Sequence, residues 1–138
     1  MTTATPLAPD AAMALGLAST ALPFARTPED EVERWLRVLR LHGQVGIALQ
    51  ALGVSEMSLV EGEERRQPQD PGTEERDSVA LVTERALRFA WERHARALAT
   101  TDVLMAVMDV YGEDFDRVLR AHGADRDELI QRLGLSQG

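Results

Sequence analysis

The sequence predicts an all-α fold. Apolar residues recur at three- and four-residue spacing in several stretches. Gly, Pro and capping residues fall where those stretches begin and end. No stretch of comparable length alternates apolar and polar residues as a half-buried strand does. The 138 residues are read as one domain, 1–138, long enough to bury a core without disulfides or metals.

The first helix is predicted after Pro9 and Asp10, with Leu15, Leu17 and Leu22 as its larger apolar residues and Pro23 as its end. The second starts at Thr27-Pro28-Glu29-Asp30: a capping hydroxyl, a first-turn proline and acids at the positive end of the helix dipole. Val32, Trp35, Leu36 and Leu39 form its apolar face, and Gly43 is expected to stop it. Val45, Ala48, Leu49 and Leu52 make a third helix, closed by Gly53. A short fourth runs from Ser55 through Leu59. Residues 62–76 read as an exposed linker, since they hold two Pro, two Gly and many charges but no large apolar residue. Val79, Val82, Ala86, Leu87 and Ala90 mark a long fifth helix. Thr100 or Thr101 is expected to cap a sixth, carrying Val103, Leu104, Val107 and Met108 and ending at Tyr111-Gly112. Phe115, Val118 and Leu119 make a seventh, closed by Gly123, and Leu129, Ile130 and Leu133 an eighth.

The totals exclude several functions. A net charge of −8 speaks against a nucleic-acid binder, which needs a basic face. There is no Cys, so no disulfide, thiol nucleophile or thiolate metal site. All fifteen basic residues are Arg, as in proteins of GC-rich bacterial genomes. The apolar stretch from Ala11 to Leu22 is too short to span a bilayer, and the first charge is Asp10 rather than a basic residue. A cytoplasmic protein that enters no membrane is therefore expected.

The chain also repeats itself. At an offset of 69, Trp35, Leu36, Val38, Leu39, His42 and Gly43 fall on Leu104, Met105, Val107, Met108, Tyr111 and Gly112. After one inserted residue the offset is 70, and Val45, Ala48, Leu49, Ala51, Gly53 and Leu59 fall on Phe115, Val118, Leu119, Ala121, Gly123 and Leu129. Apolar meets apolar and stop meets stop. Two four-helix repeats, residues 8–61 and 77–134, are expected to bury their apolar faces against each other as a pseudo-twofold bundle.

This pattern resembles the Clp N-terminal domain, the double-repeat helical module that precedes the AAA+ rings of Clp unfoldases. The second repeat carries it in Ala99-Thr100-Thr101-Asp102, Val103-Leu104-Met105-Ala106-Val107, Gly112, Leu119, Gly123, Ala124 and Leu129. The first carries it in Glu31 to Leu36, Gly43, Leu49, Leu52-Gly53-Val54 and Leu59. The resemblance spans residues 8–134. It implies a cofactor-free docking module that recognises proteins, peptides or peptide-like ligands, as adaptor, decoy or client binder of a Clp unfoldase. No phosphate-binding loop of Walker type is present, and without Lys none can be. The alternative is a regulatory or structural helical protein that dimerises through its apolar first helix.

In several members of that family the domain binds arginine-phosphorylated clients. An acid near the start of the second helix of each repeat takes the guanidinium, and the start of a repeat's first helix takes the phosphate. The resemblance assigns Glu31 or Glu33 to the first role in repeat one. In repeat two, Thr101 stands where the family has Glu, with Asp102 beside it. Ala8 and Arg76 stand where the family has a helix-start Thr. Any phosphoarginine affinity is therefore expected to be weak and confined to the first repeat. Glu84 matches an acidic position near the groove that takes peptide-like antibiotics in the family. Glu75, however, replaces the aromatic that precedes that helix.

No catalytic constellation emerges, so no enzyme is expected. His42, His94 and His122 lie far apart, and helix-end or surface positions are expected for them rather than metal ligation. Glu61, Glu63, Glu64, Arg65 and Arg66 read as a solvated linker segment. Trp35 lies in phase with the apolar face and should be core, whereas Trp91 sits among charges and should be partly exposed. Asp114 and Asp116 flank Phe115 where acids favour a helix start.

Overall fold

The computed structural model describes residues 6–54 and 78–134. Among them, all regular structure is helical apart from one isolated parallel bridge, Leu7 with Leu98. The helices are α1 (Pro9–Ala21), α2 (Pro28–Leu39), α3 (Gly43–Ala51), α4 (Ser78–Glu92), α5 (Thr100–Tyr111), α6 (Glu113–Ala121) and α7 (Arg126–Leu133), with a 3-10 turn at Leu22–Phe24 after α1. The all-α expectation holds. The expected short helix at 55–59 and the linker at 62–76 lie outside the described residues.

Each helix buries the face its spacing marks. Val32, Trp35, Leu36 and Leu39 of α2 are all buried, as are Val103, Leu104, Val107 and Met108 of α5 and Phe115, Val118 and Leu119 of α6. Together with small residues of α1 (Ala11, Ala14, Ala18) and α4 (Ala86, Ala90), they form one continuous core. The Ala-lined faces let α1 and α4 approach closely. α4 lies along α5, α2 packs on α1, α5 and α6, and α3 on α5 and α7. Of the larger apolar residues expected on the first helix, Leu15 is buried in α1, Leu22 is buried in the 3-10 turn that follows it, and Leu17 is exposed.

The ends of α3 and α6 match at an offset of 70. Both helices have nine residues. Gly53 and Gly123 follow them with φ of +91° and +88°, a backbone that favours glycine. The next residue then donates its N–H to a carbonyl five residues back: Val54 to that of Leu49 at 3.0 Å and Ala124 to that of Leu119 at 3.1 Å. Val54 and Ala124 are both buried.

Two expected boundaries are corrected. Gly43 does not end α2, which closes at Leu39 with Arg40 as its cap; it opens α3. Its φ is +62°, and a Cβ there would lie 2.8 Å from Thr100 Oγ1 and 3.1 Å from Asp10 Oδ2. Neither Thr100 nor Thr101 caps α5. The cap position is Ala99, and its N–H donates to Asp102 Oδ2 at 2.9 Å. A carboxylate in the third position does from inside the helix what a capping hydroxyl does from outside. Thr27 does cap α2, accepting the Asp30 N–H at 3.0 Å.

Candidate functional site

Glu31 stands in the first turns of α2, half-buried, and its Oε1 gathers two hydroxyls from other helices. Tyr111, the last residue of α5, donates to it at 2.5 Å, and Ser78, the first residue of α4, donates at 2.9 Å. Buried Trp35, one turn further along α2, donates its indole N–H to the Tyr111 hydroxyl at 3.2 Å. Burial, then the hydrogen bond to Glu31 and its charge, push the Tyr111 phenol well above its ordinary range. The start of α4 therefore sits on an acid of α2.

A second junction joins the starts of α1 and α5. Ala8 N–H donates to the Leu98 carbonyl and Leu98 N–H to the Pro6 carbonyl, both at 2.9 Å. Asp10 and Thr100 both lie close to Gly43, so the first turns of α1, α3 and α5 converge there. Thr100 is buried and Thr101 half-buried.

Asp102 is buried and committed. Besides capping α5, it receives Arg93 Nε at 2.8 Å on Oδ1 and Arg93 Nη2 at 2.6 Å on Oδ2. This two-bond fork holds the Arg93 guanidinium more firmly charged. Glu33 also points inward. Its Oε1 lies 2.8 Å from His122 Nε2, with side-chain exposures of 3% and 0%. Two residues apart on a helix is a turn of about 200°, so Glu31 and Glu33 face opposite ways. Glu31 is thus the nearer of the two to solvent. Glu84 is exposed on α4, in line with Leu81, Arg88 and Trp91.

His122 is at a helix end, as expected, but in the core rather than at the surface. His42 precedes α3, and its Nε2 is buried. Trp35 is fully buried and Trp91 is 72% exposed. Asp114 and Asp116 pair with Arg117 and Arg126 at 3.0 and 2.9 Å. Ser78, Tyr111, His122 and Arg93 were not singled out as contributors. Only Ser78 carries a local signal, a capping-type residue directly before an apolar run.

Chemically, the Glu31 junction offers a carboxylate, two hydroxyls and a helix start. That suits a ligand carrying a cation next to an anion. Among the described residues no three His, Asp or Glu side chains are grouped to hold a metal ion. No described helix is long and apolar enough to cross a membrane. No protein-family model, curated protein or solved structure matches the chain.

Proposed function

We propose that the chain is a Clp N-domain-like binding module without enzymatic activity. It recognises proteins, peptides or peptide-like ligands, and serves Clp protein quality control in the cytoplasm as adaptor, decoy or client binder. It is one domain of two pseudo-twofold-related four-helix repeats, residues 8–61 and 77–134. The observation that carries this reading is reciprocal. α4, which opens the second half, starts on Glu31 of α2. α1, which opens the first half, starts against Leu98, two residues before α5. Each half thus sets its first helix beside the start of the other's second helix, which supports a pseudo-twofold relation. The matched ends of α3 and α6 support the same relation.

Glu31, with Ser78 at the start of α4, is the site that suits phosphoarginine: the acid for the guanidinium, the hydroxyl and helix start for the phosphate. Thr101 offers a hydroxyl without charge, and Asp102 is occupied by Arg93. Glu33 then acts as a core residue and Glu84 as a surface contact for peptide-like ligands. Calorimetry with free phosphoarginine should give one weak site. Thr101→Glu should add or strengthen a second. Two equivalent tight sites in the unaltered protein would overturn the residue assignment, and an inert Thr101→Glu would discard that position. If phosphoarginine, basic peptides and Clp-targeting cyclic peptides all fail to shift the melting temperature, the Clp reading itself falls.

The alternative, a regulatory helical protein acting as a dimer, is favoured by one observation. α1 and its 3-10 turn leave Met13, Leu17 and Phe24 exposed, at 56%, 43% and 71%. Sedimentation decides it: a dimer that Leu17→Glu dissociates supports this reading, and a monomer at high concentration removes it.

A further inference from the structure

We propose that Tyr111 and Ser78 set the specificity of the Glu31 site. By filling Oε1 they leave Oε2 as its one open oxygen, and so select a primary ammonium, a lysine side chain or a peptide's amino terminus, over a guanidinium. The inference rests on the reading of Glu31 as a ligand-binding acid, and it gives the reason a guanidinium ligand should bind there only weakly.

Glu31 is the exception among the acids. Seven described carboxylates are buried or half-buried, and six of them have a basic partner. Glu29 and Asp114 share Arg117, Asp30 has Arg34, Asp102 has Arg93, Asp116 has Arg126 and Glu33 has His122. Glu31 has none among the described residues. Reach does not explain this. Arg34 lies three residues along α2, a spacing at which side chains meet. It turns instead to Asp30, with Nε at 3.2 Å, and to the Ala21 carbonyl, with Nη1 at 3.4 Å. A carboxylate held partly out of water without a cation is a charge left to be matched.

What Glu31 has instead is hydroxyls. Its Oε1 accepts Ser78 at 2.9 Å and Tyr111 at 2.5 Å. A carboxylate oxygen offers about two lone-pair directions, so Oε1 is filled. No hydrogen bond among the described residues reaches Oε2. The hydroxyls are also held in place. The Trp35 N–H can only donate, so the Tyr111 oxygen accepts there at 3.2 Å and its one proton is directed to Glu31. Burial, then the hydrogen bond to Glu31, keep that proton on the phenol well beyond its ordinary range. The two donors come from α4 and α5, which lie along each other, so packing fixes their spacing.

The lone-pair count decides the ligand. A guanidinium draws its advantage on a carboxylate from two parallel N–H bonds, one to each oxygen. Here the second of those bonds would have to evict a hydroxyl from Oε1 and leave a part-buried donor without its acceptor. An ammonium is a compact charge with three rotatable donors, and one oxygen is enough for it. On Oε2 it matches the charge of Glu31 while every existing bond is kept. The chain has fifteen Arg and no Lys, so it holds no side-chain ammonium of its own to compete.

The test uses the intact protein and three short alanine peptides at constant ionic strength. One carries a central Lys and the second a central Arg, both with capped ends. The third has no charged side chain but a free amino terminus. Binding is read by NMR from the indole N–H of Trp35, which donates to Tyr111. Trp91→Phe assigns that signal, since the chain has two tryptophans. At least one ammonium probe should shift it saturably and bind severalfold tighter than the Arg peptide. A response to the Lys peptide identifies a side chain, a response to the uncapped peptide an amino terminus, and a response to both the ammonium alone. Glu31→Gln should abolish binding. Ser78→Ala opens Oε1 and should move the preference severalfold toward Arg. No probe carries a phosphate, so the ratio reports the carboxylate alone. Tyr111→Phe should act in the same direction, and Ser78→Ala, which keeps the bond between Trp35 and Tyr111, answers if that variant does not fold. An Arg peptide that binds as tightly as the ammonium probes, or a preference that Ser78→Ala leaves unchanged, would overturn the selectivity and leave the binding module standing. Absence of a saturable shift with every probe would overturn it as well. The module itself falls only if phosphoarginine, basic peptides and cyclic peptides also leave the melting temperature unmoved.

Discussion

The Tyr111 phenol should make the protein lose stability in alkaline solution, and this composition isolates the effect. Tyr111 is the only tyrosine, and the chain has neither Lys nor Cys. Between about pH 9 and 11.5 it is therefore the only side chain expected to titrate. In the folded protein its ionisation is held well above the ordinary value of 10.0, because burial and the Glu31 carboxylate oppose a phenolate. In the unfolded chain it ionises near about 10. Above that pH the folded state keeps a proton that the unfolded state has lost. Stability is then full below the unfolded value and falls by up to about 1.4 kcal/mol per pH unit above it. At about 2.1 cal/mol/K per residue, such a loss lowers the melting temperature by roughly 5 °C per pH unit for a chain of this length. Tyr111→Phe should flatten that slope. The same change deprives Glu31 of a donor and the buried Trp35 N–H of its acceptor, so at neutral pH it should cost roughly 2–4 kcal/mol. Phenolate absorbance and melting temperature, followed together, are the assay. A phenol that titrates near 10 while the fold persists would refute the reasoning. So would a Tyr111→Phe protein with the same alkaline slope.

Leu49 and Leu119 are fully buried at matching turns of α3 and α6, so Leu→Ala at either should cost roughly 2–5 kcal/mol; an unchanged melting temperature in either would contradict its place in the core. Thr27→Ala removes the acceptor of the Asp30 N–H and should cost about 1 kcal/mol by urea unfolding, with Thr27→Ser restoring most of it. His122→Ala takes the imidazole from Glu33 and leaves a cavity in the core, for a loss of roughly 3 kcal/mol or more. His122→Gln, which can still donate, should lose less, and equal losses in the two variants would show that the hydrogen bond contributes nothing.

Helix content was legible because apolar spacing is a local property. Val32, Trp35, Leu36 and Leu39 mark a face whatever they pack against, and Thr27 caps α2 through an N–H three residues away. The polar sites were legible only in part, because they depend on where separate helices cross. Glu31 and Glu33 look alike in the sequence. One meets Ser78 and Tyr111, and the other meets His122, eighty-nine positions away. Thr100 and Thr101 both look like caps. What removes them from that role is Asp102, which Arg93 fixes in place from beyond the end of α4.

The same distinction bears on the proposed double repeat. At an offset of 69, Glu31 falls on Thr100 and His42 on Tyr111. At the Glu31 junction one carboxylate oxygen, Oε1, takes two hydroxyls. At the corresponding positions His42 Nε2 is buried and makes no hydrogen bond among the described residues, and Thr100 presses on Gly43 instead. Apolar positions can trade Leu for Met and still fill a core. A carboxylate that accepts two hydroxyls has no such substitute, since Thr brings one hydroxyl and no charge. On the proposed double-repeat reading, packing can therefore keep two halves alike while their polar junctions diverge, and the proposed ligand chemistry should be sought at the Glu31 junction rather than at both.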